Sequence, residues 1–266
     1  MKQVVPNSAW SDEMRYAFEH DRIEWWEPEL MPHRYNLYHD YIEMLLKLIG
    51  LLNPQRVLNV GCAQATLDLL LAEQGVMMTS VEIRPGFLDY AKLRYERGTI
   101  RWVPGDFFDV RLDEEPGFDL VMSHHAIEHV AEPSRFVELM AKYVRPGGHL
   151  LLTSPNHRYI RSRLPSFTEV GDLSQYSNFA NSCDGQDHIF AFTREELCCL
   201  GTSHGLKLEQ HFYYESFLLA GHVKLWRLHQ VLPGWTFKIL NPLAALPLLD
   251  SALFQNQCVL FVKPSE

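Results

Sequence analysis

The sequence predicts an α/β fold built on a doubly wound, seven-stranded, mostly parallel sheet. Two observations carry that expectation. From Arg56 onward, short β-branched and apolar runs alternate with helical patterns, the rhythm of strand–helix units whose strands pair in parallel. The first run ends in a glycine, followed by small residues and the start of a helical pattern. With 266 residues, the chain is long enough for one large domain carrying a lid or cap.

The first 54 residues, rich in aromatics and acids, read as a helical N-terminal extension. Within it, Tyr38, Tyr41, Ile42, Leu45, Leu46 and Ile49 recur at helical spacing over Leu37–Leu52. Strands are expected at Arg56–Gly61, Met77–Ile83, Ile100–Asp106, Phe118–His124 and His149–Ser154. Helices are expected between them at Gln64–Gln74, Pro85–Arg97 and Pro133–Val144. A polar stretch from Pro155 to Asp187 breaks the rhythm, and residues 155–190 are read as a substrate loop, because loops of that length are usually functional or disordered. A helix at Thr193–Leu200 follows, with Thr193 and Glu196 in capping-box spacing. Strands at Leu206–Tyr214 and Gln257–Val262 complete the sheet. The core is thus placed at 55–210 plus 255–266, with an apolar cap at 211–254.

Composition narrows the function. Lys plus Arg is 24 and Asp plus Glu is 33, a net charge of −9. Such a chain is a poor fit to sequence-blind nucleic-acid binding, which rests on phosphate neutralisation, so no nucleic-acid partner is expected. The five cysteines include no Cys-x-x-Cys pair, which excludes the usual zinc spacing. No signal-peptide core and no run of about 18 apolar residues is present, and a cytoplasmic location is expected.

Val57-Leu58-Asn59-Val60-Gly61-Cys62-Ala63-Gln64-Ala65 is a buried strand turning into a helix through small residues. A nucleoside approaching a backbone closely needs such a turn. Twenty-one residues after Gly61 the second strand ends in Glu82, a carboxylate suited to two ribose hydroxyls. Asp106 ends the third strand and can meet an adenine amino group at the same edge. Gly61 alone could be a plain structural turn; the combination with Glu82 and Asp106 is more specific.

Taken with Pro104-Gly105-Asp106-Phe107, Phe118-Asp119-Leu120-Val121, Ile127-Glu128-His129-Val130 and Arg145-Pro146-Gly147-Gly148, these motifs resemble the class I S-adenosylmethionine-dependent methyltransferases. The likeness is to the broad small-molecule group that includes the ubiquinone-biosynthesis O-methyltransferases. It covers about Arg56–Gln210 and the last strand, and Asp187–Thr193 is similar to a stretch found before the group's sixth strand. It implies a Rossmann-like fold and S-adenosylmethionine as cofactor. By resemblance, Asn59, Gly61, Cys62 and Ala63 surround the methionine part. Glu82 and Ile83 meet the ribose, Asp106 and Phe107 the adenine, His124 the sulfonium side, and Arg34 the cofactor carboxylate. The group's turn is Gly-x-Gly-x-Gly, whereas here it is Gly61-x-Ala63-x-Ala65, and the usual acidic residue two positions before the first glycine is Asn59.

Methyl transfer is an in-line displacement in which the enzyme chiefly aligns nucleophile and methyl group. A hydroxyl acceptor also gains from a base titrating near neutrality, which suits histidine. His125 is the first candidate, with His124 and His188 as the other catalytic candidates; each could instead pack or line the cofactor. His125, Glu128 and His129 share helical spacing. Some ubiquinone O-methyltransferases bind a divalent cation through Glu-x-x-Glu-His at this point, but Glu-His-Val also occurs in metal-free relatives, and no metal is assigned. His157, Arg158, Arg161, Arg163 and His188 lie in or beside the long loop and could bind an anionic group or close a lid. From Ser216 to Leu249 there is no acid, while Lys224, Arg227 and Lys238 accompany Trp226, Trp235 and several leucines. This reads as a cap, with a membrane-surface element or a cover for a lipid-like substrate as alternatives.

The expected function is methyl transfer to a small molecule, with oxygen the favoured acceptor atom. N- or C-methylation and a non-catalytic binding protein are the alternatives. A nicotinamide oxidoreductase would want Gly-x-Gly-x-x-Gly, where Ala63 and Thr66 stand instead. Oligomeric state is not readable.

Overall fold

A computed structural model describes residues 1–112, 117–171, 188–220, 225–241 and 250–265. The expected strands form one seven-stranded sheet in the order β3-β2-β1-β4-β5-β7-β6. They are β1 (Arg56–Val60), β2 (Met77–Glu82), β3 (Thr99–Pro104), β4 (Phe118–His124), β5 (Val144–Pro155), β6 (Lys207–Ser216) and β7 (Phe254–Val262). Strands β1 to β5 pair in parallel, and β7 runs antiparallel to both β5 and β6. Because β1 lies between β2 and β4, the connections leave it in opposite directions. That switch point opens a crevice at the carboxyl edge, where doubly wound sheets bind ligands.

Helices cover both faces. In α5 (Pro133–Tyr143), Pro133, Phe136, Val137, Met140 and Ala141 recur at helical spacing and bury one stripe. The last four join a core that includes Leu58, Val121, Leu150 and Val259 of the sheet. On the opposite face, Tyr41, Ile42, Leu45 and Ile49 of α2 (Pro32–Leu52) pack with Leu67 and Leu71 of α3 (Thr66–Glu73) and with Leu120 and Met122. Pro32 opens α2 with its fixed φ, and Asn53 ends it at φ +47°, donating its N–H to Ile49. Before α2, α1 (Asp12–Asp21) packs Phe18 and Ala17 against Phe87 and Tyr90 of α4 (Pro85–Arg94), and continues as a π-helical turn through Trp26.

The start of the stretch read as a loop is ordered by pairing. Asn156 bridges Phe192, Tyr159 is buried, and α6 (Phe167–Val170) begins with a complete Ser166–Glu169 capping box. Residues 172–187, the rest of that stretch, lie outside the described residues. The Thr193–Glu196 capping box forms as expected at α7 (Arg194–Ser203). In the acid-free segment, a 3₁₀ turn at Leu225–Gln230 and α8 (Gly234–Leu240) sit on α2. His229 stacks on Phe237 at 3.5 Å between centroids, and Asn36 lies 3.1 Å from His229 Nδ1. Trp226, Trp235 and Ile239 are exposed. The short α9 (Asp250–Leu253) leads into β7. No helix among the described residues is long and apolar enough to cross a membrane.

Candidate functional site

A cavity of about 530 Å³ opens at the carboxyl edge of β1, β2 and β4. Its walls include Gly61, Ala63, Glu82, Ile83, Asp106, Phe107, His124 and His125. Residues distant in sequence are thus brought to one edge. The backbone turns sharply after Val60, with Gly61 at φ +76°, where a Cβ would lie 2.9 Å from that of Ala126. That position is open to glycine alone. Ala63 and Ala65 adopt the same left-handed region at +48° and +56°.

Glu82 is buried at the end of β2. Its Oε2 accepts the Ala63 N–H at 2.8 Å, and its Oε1 accepts from Arg84 Nε at 3.0 Å. The carboxylate is therefore fixed between turn and strand end before any ligand arrives. Asp106 accepts the Phe108 N–H at 2.9 Å, which orders the turn after β3. Three of the residues expected to meet the cofactor do not line the cavity. Arg34 pairs instead with Glu24 at 3.2 Å. Asn59 is turned toward α3, donating to Asp68 at 2.7 Å. Cys62 is buried beside Ala65 and Leu88, and burial pushes its thiol well up.

His124, His125 and His129 line another part of the cavity. His124 is half-buried, both its ring nitrogens are buried without a hydrogen-bond partner, and burial followed by the neighbouring His125 pulls its pKa down to about 3. The ring is neutral at physiological pH. His125 sits at φ +48° and 28% of its side chain is exposed. Its Nδ1 lies 3.1 Å from Glu128 Oε1 and its Nε2 2.7 Å from the Tyr214 hydroxyl. Burial lowers the His125 pKa, but the hydrogen bond and charge of buried Glu128 outweigh it and the net shift is upward. With Nδ1–H donated to Glu128, Nε2 is the accepting nitrogen. Tyr41 stacks on Tyr214 at 5.4 Å and its hydroxyl lies 3.3 Å from Thr153 Oγ1; the Thr153 carbonyl takes the His125 N–H. Tyr41, Thr153 and Tyr214 carry no sequence motif; Tyr41 reads only as a buried helical position.

His188 does not line the cavity. It lies 3.9 Å from Glu128 Oε1, with its ring 4.8 Å from that of His129. Among the described residues, the group with converging ligand atoms is Glu128, His129 and His188, within 4.8 Å of one another, rather than His125, Glu128 and His129. Oε2 of Glu128 is buried without a hydrogen-bond partner.

A family model described as a methyltransferase domain matches residues 58–152. The ubiquinone biosynthesis O-methyltransferase of Alkalilimnicola ehrlichii is 30% identical over 152 residues, 52% of this chain and 58% of that protein. Its counterpart in Coxiella burnetii is 29% identical over 142 residues, 51% and 58% of the two chains. The chain thus spans less than two thirds of these relatives' length. Among solved structures, the N-methyltransferase NodS of Bradyrhizobium japonicum, in complex with S-adenosylhomocysteine, superposes with a TM-score of 0.55 at 15% identity, over 96% of this chain and all 100% of that one. The methyltransferase domain of bacterial CtHen1 superposes with 0.54 at 15% identity, over 86% and 99%. At such identity the structural likeness speaks to the fold alone. The matched segment, its sheet order and the cavity at its carboxyl edge agree: residues 58–152 match a methyltransferase domain and carry the fold of methyltransferases of known structure.

Proposed function

We propose that the chain transfers a methyl group from S-adenosylmethionine to a hydroxyl of a small molecule. The observation that supports this best is the single cavity that holds Gly61, Glu82, Asp106 and His124 at one sheet edge. The donor fits the residues present. The glycine position has no room for a Cβ, the Glu82 carboxylate is held ready for two ribose hydroxyls, and Phe107 offers an aromatic face beside Asp106. His124 lines the cavity, and its neutral ring suits a neighbouring sulfonium, which would repel an imidazolium. When bound, the donor supplies a methyl group on an activated cationic leaving group.

The chain's own residues then align and deprotonate the acceptor. Glu128 holds His125 through Nδ1 and fixes the tautomer, as a carboxylate does for a histidine base. Tyr214 donates to Nε2 in the absence of acceptor. The acceptor hydroxyl replaces it as donor, and its proton passes to Nε2 as the oxygen takes the methyl group. Arg34 leaves this scheme, since its partner is Glu24. The test is calorimetric titration with S-adenosylhomocysteine, followed by transfer of labelled methyl to panels of phenols, other alcohols and amines. No binding at millimolar product would sink the reading, and transfer confined to amines would sink the hydroxyl acceptor.

One observation favours a divalent cation beside this site: the partnerless Oε2 of buried Glu128, with His129 and His188 close by. An N₂O donor set suits a borderline ion such as zinc better than magnesium. Such an ion would hold the Glu128 end of the wall, and the proton transfer described above does not pass through it.

A further inference from the structure

The cofactor turn is strained where the related group has glycine. Ala63 and Ala65 occupy the left-handed region at φ +48° and +56°, which their Cβ atoms disfavour. The residue between them, Gln64, presents its carbonyl to Arg94, whose Nη1 donates at 2.8 Å. Both Nη atoms also reach the Thr66 hydroxyl at 3.1 Å, so the fork grips the turn and the first residue of α3 together. Arg94 is fully buried, and its charge is met by Asp21 at 3.0 Å, itself without exposure. Asp21 ends α1, and Tyr90 and Trp26 fix its other oxygen at 2.8 and 2.7 Å.

Neither Asp21 nor Arg94 lines the cavity. A buried ion pair is a poor device for stability, because desolvation offsets much of its attraction. Burial indeed raises the Asp21 carboxyl despite Arg94. This pair stands directly behind the strained segment, and its donors end on that segment's carbonyl. Glycine would meet no Cβ penalty in the same turn, so the clamp and the alanines belong to one arrangement.

We infer that Asp21 and Arg94 are positioning residues: a buried ion pair, delivered by the N-terminal helix, that holds an alanine-containing cofactor turn in the shape glycines adopt unaided. The inference rests on the reading of this turn as the S-adenosylmethionine site.

The experiment is S-adenosylhomocysteine titration on the full chain, with folding checked by circular dichroism. Four proteins are compared: wild type, Asp21→Asn, Ala63→Gly/Ala65→Gly, and their combination. Asp21→Asn is expected to remain folded and bind about tenfold more weakly, the scale of one left-handed alanine released. The glycine pair is expected to raise affinity several-fold more in the Asp21→Asn background than in wild type. A merely structural pair would lower the melting temperature and leave the glycines without a selective effect. Should Asp21→Asn fail to fold, Arg94→Lys takes its place, since an ammonium keeps the charge but cannot fork across Gln64 and Thr66. Wild-type affinity in a folded clamp variant overturns the inference, and so does a loss that glycines do not restore. A wild type that binds no S-adenosylhomocysteine instead fails the proposed function itself, before any variant is compared.

Discussion

Asn59 in β1 and Asp68 in the first turn of α3 share a buried hydrogen bond, Nδ2 to Oδ2 at 2.7 Å. The other oxygen of Asp68 accepts from Ser80 at 2.5 Å, and Asn59 Oδ1 is left without a partner. The acid absent from position 59 thus stands nine residues later, facing the same strand from the helix. Burial raises its pKa to about 6, against the lowering hydrogen bonds from Ser80 and Asn59. A raised folded pKa means the folded chain holds this proton more tightly than the unfolded chain. The stability linked to it is complete below the unfolded value and is lost as pH rises through about 6. Asp68→Asn removes that loss, and its amide can donate to the orphaned Asn59 oxygen. We expect the variant to exceed wild type by about 1–3 kcal/mol at alkaline pH, with no advantage in acid. Urea melts across that range would show it, and a variant weaker than wild type at alkaline pH would refute it.

Glu82 joins the cavity and the turn, so its removal acts on both. Glu82→Ala should weaken S-adenosylhomocysteine binding by about 1–3 kcal/mol, the range for hydrogen bonds to a charged group. Titration calorimetry measures this directly, and an unchanged dissociation constant would take Glu82 out of the ribose site.

His125 and Tyr214 give a paired prediction. His125→Ala should lower turnover about 10²–10⁴-fold with little change in product affinity. Activity in wild type should fall as pH drops through the raised His125 pKa, because a protonated imidazole cannot take a proton. Tyr214→Phe frees Nε2 without moving Glu128, so the acid limb of the pH–rate profile should persist. A wild-type rate in folded His125→Ala would dismiss the base assignment.

The zinc reading is tested by stability rather than turnover. A ligand that binds only the folded state raises its melting temperature. Zinc should therefore raise the melting temperature of the chelator-treated chain, and His188→Ala should abolish the rise. Equal response in both proteins would place any bound ion elsewhere.

Much of the cavity's sheet edge could be read along the chain because each residue there lies at the end of its own strand. Gly61 follows β1, Glu82 ends β2 and Asp106 follows β3, and a parallel sheet brings successive carboxyl ends to one edge. Sequence could not show what the third dimension supplies. Tyr214 meets His125 across 89 positions, and only the antiparallel insertion of β7 carries β6 to that edge. Arg34 sits at a favourable sequence position, yet the nearer charge of Glu24 claims it. The fork of Arg94 behind the turn has no spacing signature, since a helix-ending arginine is ordinarily solvated. His188 lies where a loop was expected to serve catalysis, and packing turns it to Glu128 instead.

The position of β7 between β5 and β6 sets an order of biogenesis. During synthesis β6 emerges with no neighbour in the sheet, and it can be seated only after residues 254–262 have left the ribosome. An unpaired strand edge is a hazard while it waits, and pairing between distant segments is intrinsically slow. The five parallel strands whose carboxyl edge bears the cavity need nothing from that final segment to pair with one another. Tyr214 reaches His125 only when the last strand docks, so the nascent chain completes the Gly61–Glu82 side of the cavity first and the His125 contact last.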